Sequence, residues 1–463
     1  MYQPTKESIT SHTVPQWFDD AKLGIFIHWG LYSIPGWAPT TGPLHQVIAE
    51  QGWGAWFGRN PYAEWYLNSL RIPGSPTAAY HREHFGETSY ADLAAQFNAQ
   101  IASWNPAAWA ELFKQAGARY VVLTTKHHDG FLLWPSQTPN PTIPGYHAER
   151  DLVGDLTDAV RAADMRMGLY YSGGLDWTFN DKVIQDIMDL FMGVPQTPEY
   201  VAYADGHFTE LIDRYQPIAL WNDIAYPAAA NLWQLFAHFY NSVPEGVIND
   251  RFIQGPGPQE QPTDLSDFGD GSTPLPTPQH WDYRTPEYAS YPEIQPYKWE
   301  TCRGLGFSFG YNRNESDAEM LSPAELVRSF VDIVSKNGNL LINVGPMGDG
   351  SIPQAQADRL LALGSWLEVN GEAIYSSRPW QRAEGTTDAG VPLRFTQREG
   401  VLYALLLDTP PDGALTLHDV VVPAGASVAL LGGTALPWEQ RGTDLVVTLP
   451  QLPDAPAHAL RIG

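Results

Sequence analysis

Residues 120–130 read YVVLTTKHHDG: aromatic, β-branched and aliphatic positions, then a Lys-His-His-Asp end and a glycine. Such a run has the composition of a parallel strand buried on both faces, with polar groups gathered at its C-terminal end. The pattern recurs along the chain as LGIFIH (23–28), MGLYYS (167–172), IALWND (218–223), GVIN (246–249), LGFSFG (305–310) and NLLINV (339–344). Helix signals fill the gaps. Asn105-Pro106 reads as an N-cap followed by an N1 proline, with Gly117 as the stop, and Ser322-Pro323-Ala324-Glu325 reads as a capping box. Further helices are expected over 151–165, 200–215, 228–242 and 355–369. Repeated strand–helix units over residues 1–376 predict an α/β fold, a (β/α)8-like barrel, and no GxGxxG follows a strand to support a nucleotide-binding sheet.

From Ser377 the texture changes to short strand-like runs, 392–397, 401–407, 427–431, 444–449 and 457–462, separated by DTPPDG, GG and PD turns. Residues 377–463 are therefore expected to form a C-terminal antiparallel β-sandwich without chemistry of its own. Residues 255–279, rich in Gly and Pro, read as a long loop of the kind that is either functional or disordered.

Composition narrows the function. The chain has 463 residues, with 27 Lys plus Arg against 52 Asp plus Glu, a formal charge of −25. That balance repels phosphate backbones and anionic membrane surfaces, so neither nucleic acid nor membrane is an expected partner. Cys302 is the only cysteine, which excludes an intrachain disulfide and a Cys-based zinc site. No basic-then-apolar leader opens the sequence, and a cytoplasmic location is the simplest expectation. Seventeen Trp, 22 Tyr and 18 Phe, many beside Gly, Pro, His or Asp, suit the flat apolar faces and hydroxyl rims of sugars, although composition alone equally fits a Trp-rich core.

In a barrel the site lies where the strands end. Those ends carry His28, then His127, His128 and Asp129, then Tyr170, then Trp221 and Asp223, then Asp250 and Arg251. His28, His127, His128, Asp129 and Asp223 are conceivable ligands of a barrel metallohydrolase. Against this, adjacent residues of an extended strand point to opposite sides, so His127 and His128 are expected to diverge. Neutral imidazoles that donate and accept hydrogen bonds with sugar hydroxyls are the preferred reading, with no metal and no cofactor. Glycoside hydrolysis needs two carboxylates. Asp223, with Trp221 on the same face, is one candidate. Glu64, Glu287 and Glu300, each flanked by aromatics, are candidates for the other, and pattern alone does not rank them.

Most of these residues sit in WFDDAKLGIFIHWGLYSIPGWAP (17–39), AEWY (63–66), YVVLTTKHHDGFLLWPS (120–136), GLYYSGGLDW (168–177), LWNDIAYP (220–227) and KWETCRGLGFSFGYNRNE (298–315), accompanied by GNLLINVGP (338–346); Arg251 lies in NDR (249–251) and Glu287 in TPEY (285–288). Together the segments resemble glycoside hydrolase family 29, the α-L-fucosidases. The resemblance implies a (β/α)8-like barrel with a C-terminal β-sandwich, and hydrolysis of fucosylated glycans or glycosides with retention, through a fucosyl ester and without a metal. It implies Asp223 as nucleophile and Glu287 as acid/base. It also implies His28, Glu64, His127, His128, Tyr170, Trp221 and Arg251 as partners of fucose hydroxyls, with Phe309 against the C6 methyl. A sugar-binding protein that has lost catalysis is the alternative, and a metallohydrolase the weaker one.

Overall fold

The computed structural model describes residues 1–254 and 278–463; all but the last two residues of the 255–279 loop lie outside the described residues. Seven parallel strands form the first sheet: β1 (Leu23–Ile27), β2 (Tyr120–Lys126), β3 (Arg166–Tyr171), β4 (Ala219–Asn222), β5 (Val247–Ile248), β6 (Trp299–Gly304) and β7 (Gly338–Val344), in the order β5-β4-β3-β2-β1-β7-β6. Residues 282–284 close the ring. Asn249 pairs with Tyr283 and Arg284 with Trp299, both in parallel, so this short segment is the eighth stave between β5 and β6. β1, β2 and β7 are buried along their whole length, as their near-continuous apolar runs require.

Helices begin where the chain chemistry says. Asn105 Oδ1 accepts from Ala107 N, and Asp151 Oδ1 from Gly154 N. Ser322 and Glu325 form a reciprocal capping box for the helix Pro323–Ser335.

One expected strand is wrong. Residues 305–310 form a loop, and the strand is the more polar WETCRG, β6. The loop amides go to side chains instead of a ladder: Glu315 accepts from Phe307 N and Ser308 N, and Glu64 from Gly310 N. The polar Glu300 is tolerated in β6 because the barrel interior supplies two donors, Tyr120 Oη at 2.5 Å and Trp221 Nε1 at 3.2 Å.

The C-terminal strands β8 (Arg378–Thr386), β9 (Pro392–Arg398), β10 (Val401–Leu406), β11 (Gly413–Leu417), β12 (Val428–Leu430), β13 (Trp438–Arg441), β14 (Asp444–Leu449) and β15 (His458–Ile462) make two antiparallel sheets, β12-β15-β10-β9-β8 and β11-β14-β13. The pattern reading missed β8, β11 and β13, whose outward positions are polar or exposed. β10 explains how the sandwich meets the barrel. Leu402, Ala404 and Leu406 join the sandwich core, while Tyr403, Leu405 and the following Leu407 join the barrel core. Trp366 Nε1 donates to Ala457 O across this boundary, and Arg394 pairs with Asp332 at 2.6 Å. Among the described residues no helix is long and apolar enough to cross a membrane.

Candidate active site

The barrel's C-terminal rim gathers all ten residues expected there. His28 follows β1, His127 and His128 follow β2, Tyr170 lies in β3, Trp221 in β4 with Asp223 just beyond it, and Arg251 follows β5. Glu287 comes after the bridging stave, Phe309 on the loop after β6, and Glu64 on the long excursion between β1 and β2.

Asp223 is held from several directions. Tyr170 Oη donates to Oδ2 at 2.8 Å; Arg251 Nη1 and Ile224 N both donate to Oδ1 at 2.8 Å. The same guanidinium reaches Glu287, with Nη2 at 3.3 Å from Oε2. Its plane lies over the Trp221 ring, 4.5 Å from the centroid, and Thr285 accepts from Nε. One rigid fork thus clamps two carboxylates. Burial opposes its charge, but Asp223, Cys302 and Glu287 outweigh burial and hold the Arg251 pKa well above normal. A residue in left-handed backbone follows each carboxylate, Ile224 at φ 68° and Tyr288 at φ 51°. For a β-branched or bulky side chain this conformation is costly, and it persists where surrounding structure enforces it.

The histidines are neutral. Burial lowers the His28 pKa to about 4 and those of His127 and His128 well below the usual value. The tautomers of His28 and His128 follow from second partners. Asn343 Nδ2 donates to Phe309 O, so its Oδ1 accepts from His28 Nδ1, leaving Nε2 as an acceptor. Ser172 donates to Leu175 O and accepts from His128 Nδ1, which leaves His128 Nε2 as an acceptor 3.9 Å from Asp223. His127 Nδ1 is buried with no hydrogen-bond partner among the described residues.

The expected divergence of His127 and His128 does not occur. β2 ends at Lys126 and the chain turns, so the two rings lie 3.9 Å apart on the same side. Ligand atoms of His127, His128 and Asp223 lie within 4.8 Å of one another. The Arg251 guanidinium on Asp223 is already a cation at that place, which makes the set a poor match for a second one. Asp129 turns away, accepting from Tyr90 Oη and Phe131 N.

The three glutamates separate by environment. Glu300 lies inside the barrel under Trp221, where burial raises its pKa to about 7. Glu64 is buried against Gly310, where burial raises its pKa to about 8. Glu287 is the partly exposed one, and it shares Arg251 with Asp223. Phe309 forms an apolar wall with His28, Tyr62 and Tyr288, ring centroids 5.0, 5.5 and 5.4 Å away. The sequence reading missed Tyr62, whose hydroxyl donates to Glu287 Oε1 at 2.8 Å. Its one signal is proximity, two residues before Glu64 in NPYAEW.

A parallel barrel that presents two clamped carboxylates among neutral imidazoles and aromatic faces has the parts of a glycoside hydrolase. The α-L-fucosidase family model matches residues 1–372, and the model of the α-L-fucosidase C-terminal domain matches residues 387–462. The chain belongs to the α-L-fucosidase family. It is 34% identical to human tissue α-L-fucosidase over 475 residues, 99% of this chain and 90% of that one. Among solved structures, Thermotoga maritima α-fucosidase in complex with a mechanism-based inhibitor is 43% identical, covers both chains completely and superposes with a TM-score of 0.86. The same enzyme in complex with fucose superposes at 0.85.

Proposed function

We propose that this protein hydrolyses terminal α-L-fucosides with retention, with Asp223 as nucleophile and Glu287 as acid/base. The observation that carries the reading is the Arg251 clamp, which sets the two carboxylates on one guanidinium at the mouth of the barrel. In the first step a carboxylate oxygen of Asp223 bonds to the anomeric carbon, the bond to the leaving oxygen breaks, and Glu287 protonates that oxygen. In the second, Glu287 takes a proton from water, the water oxygen bonds to the anomeric carbon, and the ester breaks to return the Asp223 carboxylate. Tyr170 and Arg251 stabilise that carboxylate as it departs.

The remaining groups fit fucose chemically. His28 and His128 each offer an imidazole acceptor to a hydroxyl, and His127 Nδ1 is a buried polar atom in want of a partner. The wall around Phe309 suits a methyl where other hexoses carry CH2OH, a difference of about 1–3 kcal/mol in an apolar pocket. The complex of the Thermotoga relative with fucose supports the same substrate class. A panel of nitrophenyl glycosides tests the proposal. The α-L-fucoside should be the one hydrolysed efficiently, with α-L-fucose as the first product seen by proton NMR. First release of the β-anomer would overturn retention.

A further inference from the structure

Glu287 has one donor on each oxygen: Tyr62 Oη on Oε1 at 2.8 Å and Arg251 Nη2 on Oε2 at 3.3 Å. The two bonds respond differently when the carboxyl takes a proton. A neutral carboxyl keeps one acceptor oxygen and turns the other into a donor, and a guanidinium, which has only donors, cannot face an O–H. The longer bond to Arg251 is the one that yields, because Arg251 keeps Asp223 and Thr285 when Glu287 leaves it. Tyr62 could accept from an O–H, but its own buried hydroxyl proton would then lose the one acceptor it has among the described residues, so it stays a donor to Oε1, and its ring cannot carry it elsewhere. It is buried, edge-on to Trp56 with centroids 5.1 Å apart and to Phe309 at 5.5 Å, and its backbone N–H donates to Asn60 Oδ1. The Glu287 backbone is pinned as well, paired with Cys302 in a β-bridge and with its carbonyl 3.1 Å from His45 Nε2.

We infer that Tyr62 is a positioning residue of the hydrolysis: it holds Oε1 as the acceptor in both protonation states and so assigns the travelling proton to Oε2, the oxygen on the Arg251–Asp223 side. The inference rests on Glu287 being the acid/base. In the first step the Oε2–H bond breaks as the leaving oxygen gains that proton and the electron pair of its broken bond to carbon; in the second, Oε2 takes a proton from the attacking water. Tyr62 keeps its own proton throughout, since burial, reinforced by the Glu287 charge, pushes its pKa far up. The charged and titratable groups facing Glu287 are Arg251, then His45, Tyr62 and Glu64 from the excursion after β1, Tyr288 beside it and Cys302 from β6; Arg251 and Tyr62 are the two that donate to its carboxylate.

Tyr62→Phe keeps the ring and deletes the hydroxyl. Turnover of a fucosylated oligosaccharide, whose leaving group needs the acid, should fall by about tenfold, and that of a nitrophenyl fucoside by about twofold or less. The basic limb of the pH–rate profile should move up by about one unit, because a donor has been taken from the ionised carboxylate. In a Glu287→Ala background the same change should add nothing. Equal loss on both substrates with an unmoved basic limb overturns the role of Tyr62, provided Glu287→Ala alone discriminates the two substrates. If Glu287→Ala does not discriminate them, the acid/base assignment falls and the Tyr62 role with it.

Discussion

Asp223 keeps its place through partners on three segments, so deleting its carboxylate should leave Tyr170, Trp221 and Arg251 standing around a small space. Asp223→Gly is expected to lower turnover of a nitrophenyl α-L-fucoside by roughly 10³-fold or more, because no ester can form. Azide should enter the vacated face and release β-fucosyl azide. Near-normal turnover without azide would remove Asp223 from the mechanism. The neighbouring histidines give a second test. The closeness of His127 and His128 to Asp223 resembles a ligand set, yet the Arg251 guanidinium already supplies the positive charge on Asp223. Activity should therefore survive exhaustive dialysis against EDTA. Loss on chelation, restored by zinc, would reverse the reading of these imidazoles.

At the scale of elements, packing overrides local preference at Gly364. It lies inside the helix Gln354–Asn370, where alanine would ordinarily gain about 1 kcal/mol over glycine. An added Cβ there would stand 1.9 Å from Gln115 O, a backbone atom at the end of the helix Pro106–Gln115. The two helices would have to separate. Overpacking of this kind costs about 3 kcal/mol at its upper end, more than the propensity gain. Gly364→Ala should lower the melting temperature by several degrees, and a rise would show that the helices have room to part.

Across the whole molecule, buried ionisable groups oppose one another in their response to pH. Burial raises the pKa of Glu64 to about 8 and of Glu300 and Glu315 to about 7. Their contribution to stability is complete below the ordinary carboxyl range and is lost as pH rises through these values. Burial lowers His28 and His207 to about 4, so their contribution is complete above about 6.5 and is lost as pH falls toward 4. The melting temperature should therefore peak between about pH 5 and 6.5 and fall on both sides. Glu300→Gln, which cannot ionise, should flatten the alkaline side; the same decline from pH 6 to 8 in that variant would show that Glu300 does not contribute to it. The sandwich adds a second kind of coupling. β10 is apolar on both faces because each face has its own core, so the sheet shields the barrel-side surface that Tyr403 and Leu405 cover.

Local chemistry made much of this legible in advance. Parallel strands buried on both faces favour apolar residues, caps favour Asn, Asp, Ser or Thr before a helix, and polar residues gather where strands end at the barrel mouth. The barrel, its rim and ten of the residues around the site follow from such short-range rules and from the motifs. Rules of that kind fail where a partner is remote. LGFSFG alternates like a strand, yet its amides are taken by Glu64 and Glu315. WETCRG does not read as a strand, yet Tyr120 and Trp221 satisfy its glutamate inside the barrel. Glu64, Glu287 and Glu300 look alike in sequence, each beside aromatic rings. Only the fold sets one against a loop, one under Trp221 and one on Arg251, because burial and the hydrogen-bond partner of a carboxylate come from residues 36 to 246 positions away. Tyr62 and Glu287, 225 positions apart, meet for the same reason.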